Sequence, residues 1–404
     1  MKNPITKTIF FLFLINFNIF AGQNFTSFPS LNIPAGGRCE SLGTAMTAMC
    51  DDPSFMDYNP AVSSILKETQ AAVFHNSQIS GGSMETITGT TRFNNFGTGF
   101  QLKTFFSPLS RYNLSGTKNS SSYYSETSLA INTSYNFFSG YDFKGLAAGI
   151  SLRSTWRNMD YTASADSSAL AFTADFGLLM RFNFFKEFTS DMPNLSVGLA
   201  ANNIGFFLTG FKSGLKTETS LPSKISIGLS YRPIKKLLVN LEFRQPVNLK
   251  NILLSESFAV AAGLEFSFTD FFDVEGGILF QDGKTKLSTG TQFSFQKIQM
   301  SLSYACTLDS ITQEHSVSLA AKINLGDKGR AQNDEQVKKL YAEGIELYAK
   351  GEKENMLKAI EKWEEAKKLS ASTGIKFDPA IKAIKTSKEL ISLHQQIISV
   401  EKQD

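Results

Sequence analysis

Ile225-Ser-Ile-Gly-Leu-Ser-Tyr231 sets an apolar residue and a small or polar one in alternation along its whole length. A period of two marks a strand whose two faces meet different surroundings. The alternation returns in Val239-Asn-Leu-Glu-Phe243, Phe258-Ala-Val-Ala-Ala-Gly-Leu264, Ile298-Gln-Met-Ser-Leu-Ser-Tyr304 and Val317-Ser-Leu-Ala-Ala-Lys-Ile323. Working outward from these runs predicts about 14 strands: 70–79, 83–91, 95–106, 125–138, 144–156, 168–184, 194–204, 223–232, 236–246, 256–268, 271–281, 286–295, 298–307 and 313–325. Most are close to the roughly 9 to 11 residues that cross a bilayer when tilted.

The polar positions separate the two architectures that alternate in this way. If Phe172, Phe176, Leu178, Met180 and Phe182 face one side, then Thr173, Asp175, Gly177, Arg181 and Asn183 face the other. The same reading sets Arg153 with Arg157, Glu242 with Arg244, Glu265, and Asp273 with Glu275 on the polar face. A soluble sandwich turns its apolar face inward. A transmembrane barrel inverts this, with lipid outside, a polar lumen inside and a closed ladder that leaves no backbone group unpaired in hydrocarbon. Three features favour the barrel. They are the strand lengths, the aromatic clusters at strand ends (Tyr135-Asn-Phe-Phe138, Phe182-Asn-Phe-Phe185 and Phe271-Phe272), and a secretory start.

That start is Lys2 and Lys7 ahead of Ile9-Phe-Phe-Leu-Phe-Leu-Ile-Asn-Phe-Asn-Ile-Phe-Ala21, with polar Gly22-Gln23-Asn24 behind it. The pattern predicts a signal peptide over 1–21, cleaved near Ala21. No Cys stands near that point, so a lipoprotein signal is not supported. Cys39 and Cys50 have two readings, a short disulfide loop or buried free thiols, and Cys306 has no evident partner.

Composition narrows the class further. Of 404 residues, 42% are apolar and 19% charged, and the 36 Phe outnumber the 11 Tyr and 2 Trp combined. After residue 21 no apolar run reaches the roughly 18 to 20 residues of a transmembrane helix, which excludes a polytopic helical membrane protein. A net charge of +3, evenly spread, does not suggest nucleic acid. The three histidines are scattered, and no phosphate-binding loop, nucleophile elbow or metalloprotease motif is present, so no cofactor, metal site or enzyme is expected.

The composition breaks near Leu325-Gly326. Residues 326–404 carry 29 of the chain's 77 charged residues and a single Phe, Phe377. From Asn333 the period becomes helical, with Val337, Leu340, Tyr341, Ile345 and Tyr348 at three- and four-residue steps. Gly344-x-x-Leu347-x-x-x-Gly351 followed by Ala359-x-x-x-Trp363-x-x-Ala366-x-x-Leu369 resembles one tetratricopeptide repeat, with a longer spacing that implies an extended turn between Gly351 and Ala359. Asp378-Pro379 opens a third helix to about Val400. The tail is either a solvated appendage or a docking surface for a periplasmic protein partner.

Residues 22–69 precede the barrel assigned to 70–325. Within 36–61, Gly43, Ala45 and Ala48 permit close packing, Asp51-Asp52-Pro53 reads as a turn or cap, and Asn59-Pro60 is a second turn signal. A segment this small needs a cavity to sit in, and the barrel supplies one. The order of Gly37, Arg38, Gly43, Ala45, Ala48, Asp51, Asp52, Asn59, Pro60 and Ala61 resembles the N-terminal hatch of the FadL-type outer-membrane long-chain fatty-acid transporters. It is most similar to uncharacterised spirochaete relatives of that family and to barrel components of a bacterial secretion system. The resemblance covers about residues 30–325. It implies a 14-stranded outer-membrane barrel plugged by its own N-terminus, passive uptake of hydrophobic small molecules such as long-chain fatty acids, and an opening in the wall at a kinked strand. Gly37, Arg38, Gly43, Asp51, Asp52, Asn59, Pro60 and Ala61 would then hold or gate the hatch.

Arg153, Arg157, Arg181 and Arg244 have two readings. They pair with Asp175, Glu242, Glu265, Asp273 and Glu275 in a static lumenal network, the reading we prefer, or they bind a carboxylate head group. In a barrel with an even strand count both chain ends fall on the periplasmic side, which sets the tail in the periplasm. Gly344, Leu347, Ala359, Trp363 and Ala366 are its expected packing residues. The alternative function is a structural or secretion-associated barrel that binds proteins through its loops and tail.

Overall fold

The computed structural model describes residues 27–401 except 80, 114, 141–142, 160–167, 189–192, 210–219, 253–254, 309–313, 328 and 373–376. The expected signal peptide over 1–21 lies outside the described residues. Fourteen strands follow one another: β1 (Gln70–Gln78), β2 (Gly82–Phe93), β3 (Phe96–Tyr112), β4 (Lys118–Phe137), β5 (Leu146–Met159), β6 (Ser168–Phe182) and β7 (Leu195–Thr209). The second half is β8 (Lys224–Tyr231), β9 (Leu237–Pro246), β10 (Ala259–Thr269), β11 (Phe272–Gln281), β12 (Lys284–Phe295), β13 (Ile298–Leu308) and β14 (His315–Asn324). Each pairs antiparallel with its neighbour in sequence, and β1 closes on β14 from Gln70 opposite Asn324 to Gln78 opposite Ser316. Where turns are tight the sequence supplies the needed chemistry. Asp282-Gly283, both at positive φ, join β11 to β12 as a two-residue hairpin.

The alternation resolves into an inverted protein. Ile225 and Ile227 are each 50% exposed, whereas Ser226 is 1% and Ser230 8% exposed. Apolar residues cover the outside and polar ones the inside, so this is a transmembrane β-barrel. Among the described residues no helix is long and apolar enough to cross a membrane.

The lumen is filled by the segment that precedes β1. After a short 3₁₀ turn at Pro29–Leu31 it contains α1 (Arg38–Ser41) and two further 3₁₀ turns, Pro53–Asp57 and Pro60–Ser64. Asp52 and Asn59 cap those turns, accepting the N–H of Ser54 at 2.9 Å and of Ala61 at 3.1 Å, with Pro53 and Pro60 at the first positions, where no N–H is needed. The hatch backbone lies directly against glycines of the inner wall. A Cβ at Gly149, Gly177, Gly198 or Gly277 would overlap Pro60, Asn59, Thr47 or Gly43 respectively.

Beyond the barrel, Thr69 donates its N–H to the Gly326 carbonyl at 2.9 Å, and the tail forms α2 (Arg330–Tyr348), α3 (Lys353–Ser372) and α4 (Asp378–Glu401). Trp363 is buried with Val337, Leu340, Ala359, Ala366, Phe377 and Ala380, with Leu347 packed at the edge. Its indole N–H donates to the Tyr341 carbonyl at 3.1 Å, and Gly344 leaves the room it needs, since a Cβ there would overlap the ring. The extended turn between Gly351 and Ala359 is not present. Residues 349–352 make a short link, because the additional residues are taken up as the first turn of α3, from Lys353.

Candidate functional site

The hatch is held by charged clusters that join it to inward positions of the strands. Arg38, 5% exposed, donates through Nε to Glu265 at 2.7 Å and through Nη1 to Asp51 at 2.9 Å, with Asp52 at 3.9 Å and Glu275 at 3.8 Å. Ser41 donates to Glu275 as well. One guanidinium thus gathers two carboxylates of the hatch and two of the wall. The planar fork of Arg suits this, because it offers several donors in fixed directions.

A second cluster centres on Asp57 at the end of the 3₁₀ turn Pro53–Asp57. It accepts from Lys103 of β3 at 3.0 Å and from Arg153 of β5 at 3.1 Å, and Arg153 reaches Asp175 of β6 at 3.7 Å. Burial pushes the Asp57 carboxyl up, but Lys103 and Arg153 outweigh it and hold the group below its ordinary value. In a third cluster Glu242 accepts the N–H groups of Met46 at 2.9 Å and Thr47 at 2.8 Å and the Arg244 guanidinium at 2.6 Å. Glu40 makes a fourth, accepting from Lys286 at 2.9 Å, Ser316 at 2.6 Å and Asn76 at 2.8 Å.

The structure therefore brings Arg38, Asp51 and Asp52 together, sets Arg153 with Asp175 and Arg244 with Glu242, and places Asn59, Pro60 and Ala61 against the wall at Gly149 and Gly177. Gly37 donates its N–H to Ser318 at 2.7 Å, and Gly43 donates to Ser288 at 3.2 Å. Arg157 stands over the Phe28 ring at 5.3 Å, and Arg181 lies toward the other end of the lumen, near Cys50. Sequence reading missed Glu40, Asp57, Lys103, Lys224 and Lys286. The usable signal was the period-two register, which puts Lys103 and Lys224 on the same face as the arginines. Cys39 donates its thiol to the Gly36 carbonyl at 3.0 Å, and burial beside Asp52 pushes that thiol up to about 12, so it is inert. Cys39, Cys50 and Cys306 are all free thiols. Among the described residues no group of three or more His, Cys, Asp or Glu is arranged to hold a metal ion.

Above the hatch lies a cavity of about 250 Å³ whose lining includes Thr44, Leu221, Lys224, Arg244, Val247 and Lys286. It adjoins the one irregular ladder of the wall between β6 and β8. The β6–β7 register shifts between Ala174 and Phe176, and Asn203, at φ +58°, donates its N–H to Asp175 at 2.6 Å. This is a β-bulge, with two residues of β7 facing one of β6. The β7–β8 ladder ends there, at Asn202 opposite Lys224, while β7 continues to Thr209. Residues 220–223 turn inward instead, with Leu221 buried against Phe28, Ala169 and Ala171.

Fold and site together define a transmembrane β-barrel whose lumen is filled by the segment preceding β1, with a small cavity beside that segment and a β7–β8 ladder that, among the described residues, ends next to the cavity. The chain belongs to the uncharacterised protein family UPF0164, whose model matches residues 18–328. It is 29% identical over 379 residues to a UPF0164 protein of Treponema pallidum (strain Nichols), covering 90% of this chain and 83% of the relative. In fold it is similar to the Ralstonia pickettii toluene transporter TbuX, with a TM-score of 0.50 and 12% identity over 76% of this chain and all of that one. The P. putida toluene transporter TodX matches with a TM-score of 0.50 and 11% identity, over 71% of this chain and 98% of its own. At such identities the likeness is one of fold alone.

Proposed function

We propose that this chain is an outer-membrane channel for passive uptake of hydrophobic small molecules, long-chain fatty acids among the candidates, with its helical tail in the periplasm. The observation that carries the reading is the lapse of β7–β8 pairing at Asn202–Lys224 beside the cavity above the hatch. A hatch packed against wall glycines closes the axial route, so a ligand that reaches the cavity leaves sideways, where the ladder stops, into the bilayer. Phe206 and Leu208, outward on the stretch of β7 that runs past the β8 ladder while still paired to β6, and 60% and 54% exposed, make that exit apolar. Support also comes from the fold shared with toluene transporters.

The test is uptake into vesicles containing the purified protein, with labelled toluene and a labelled long-chain fatty acid. Faster entry than into protein-free vesicles is expected, together with slower entry when an added disulfide ties residues 220–223 to β7. Entry rates equal to those of protein-free vesicles would sink the channel reading.

A further inference from the structure

Most cations of the lumen are matched by carboxylates, and among the described ones that form no ion pair Lys224 is the one that lines the cavity, whereas Lys322 reaches the Asp51 carbonyl at 3.4 Å. Asp57 answers Lys103, Arg153 is shared between Asp57 and Asp175, Glu242 answers Arg244, and Glu40 answers Lys286. Lys224, at the inner foot of β8, is 8% exposed and lines the cavity, yet among the described residues it makes neither an ion pair nor a side-chain hydrogen bond. Its one contact of that kind is the Tyr58 ring, 5.9 Å from Nζ. Glu256, the carboxylate that lines the same cavity, is partly exposed and not within ion-pair distance of Lys224. Glu242 and Asp57 act on it only from beyond ion-pair distance and are already engaged by Arg244, Lys103 and Arg153, and a buried ammonium without a counter-charge in contact is costly unless something supplies one.

We infer that Lys224 is the anchor of an anion site in this cavity and that its ligand is a compact monocarboxylate. One unanswered cation calls for one negative charge. Ser220, Ser223 and Asn248 offer further polar groups around it, and Leu221, Pro222 and Val247 offer an apolar wall for the rest of the molecule. The volume, about 250 Å³, lies below the usual range of roughly 300 to 1,000 Å³ for ligand pockets, so the occupant is small. The site deepens the uptake reading by naming an anionic substrate class, and it rests on that reading only for the direction of travel.

The experiment is calorimetric titration of the full-length protein in detergent with benzoate, its neutral counterparts toluene and benzyl alcohol, and palmitate. Benzoate binds and the two neutral ligands bind at least about tenfold more weakly, since charge-assisted hydrogen bonds are the strong ones. Lys224→Met weakens benzoate by a similar factor, and Lys224→Arg, which keeps the charge, restores most of it. Toluene or benzyl alcohol binding as tightly as benzoate would overturn the site, and needs no variant. Unchanged benzoate affinity in a folded Lys224→Met protein would do the same. Palmitate binding far more tightly than benzoate would overturn the compact ligand. Benzoate binding without any vesicle uptake would leave the site standing and remove the channel.

Discussion

Replacing Asp57 by Asn tests whether the hatch is held by charge. Asp57 is the only hatch carboxylate in its cluster, and Lys103 and Arg153, whose side chains are 1% and 2% exposed, both donate to it. Removing one partner of a buried ion pair costs about 3 to 5 kcal/mol, because the charge left behind has no water to turn to. Here the remaining cations keep something: Lys103 still donates to the Ile33 carbonyl at 2.6 Å, and Arg153 to the Met56 carbonyl at 3.1 Å with Asp175 at 3.7 Å. The lower end, about 3 kcal/mol, therefore applies. It raises the population with an open hatch roughly 100-fold. Cys39 reports that population, because it is fully buried on the hatch and reacts only when the hatch leaves the wall. With Cys50 and Cys306 replaced by Ser, labelling of Cys39 by a maleimide should accelerate by about that factor, while the barrel keeps its heat-dependent gel mobility. A labelling rate within about twofold of the parent would refute the argument that this cluster anchors the hatch.

The same carboxyl sets a pH window. Its folded value lies below the ordinary 3.8, so its stabilisation is fully present above that pH and is lost only as pH falls through the lower folded value. Pepsin cleavage within the hatch should thus rise below about pH 4 in the parent and show no such step in Asp57→Asn. Gly198→Val puts a branched side chain where Thr47 carries its carbonyl, and overpacking of about 1 to 3 kcal/mol should displace the hatch and speed Cys39 labelling. Leu264→Arg, at a position 53% exposed on the outer face of β10, should cost about 2 to 4 kcal/mol in refolding titrations into lipid vesicles if it lies near the bilayer midplane. The same change should cost little in a detergent that reshapes around the charge.

The strands were legible because each writes its two environments into its own residues. Ile225, Ile227 and Leu229 announce lipid and Ser226 and Ser230 announce the lumen without reference to any other part of the chain. The caps of the hatch were legible for the same reason, since Asp52 and Asn59 act on N–H groups two residues away. The anchors were not. Asp57 meets Lys103 and Arg153 across the lumen, and no local pattern couples residues so far apart. Inner-wall glycines look in sequence like weak strand residues, although a glycine inside a strand is also a sign of close backbone approach. Gly149, Gly177, Gly198 and Gly277 carry that meaning here.

What the sequence determined by itself was therefore the barrel strands and the separate helical tail, properties that repeat or act over a few residues. Closure of the barrel decided the rest, by setting which inward side chains face one another. Only that closure gathered most lumenal cations onto carboxylates and left Lys224, an ordinary residue at the start of an ordinary strand, lining the cavity without an ion pair among the described residues.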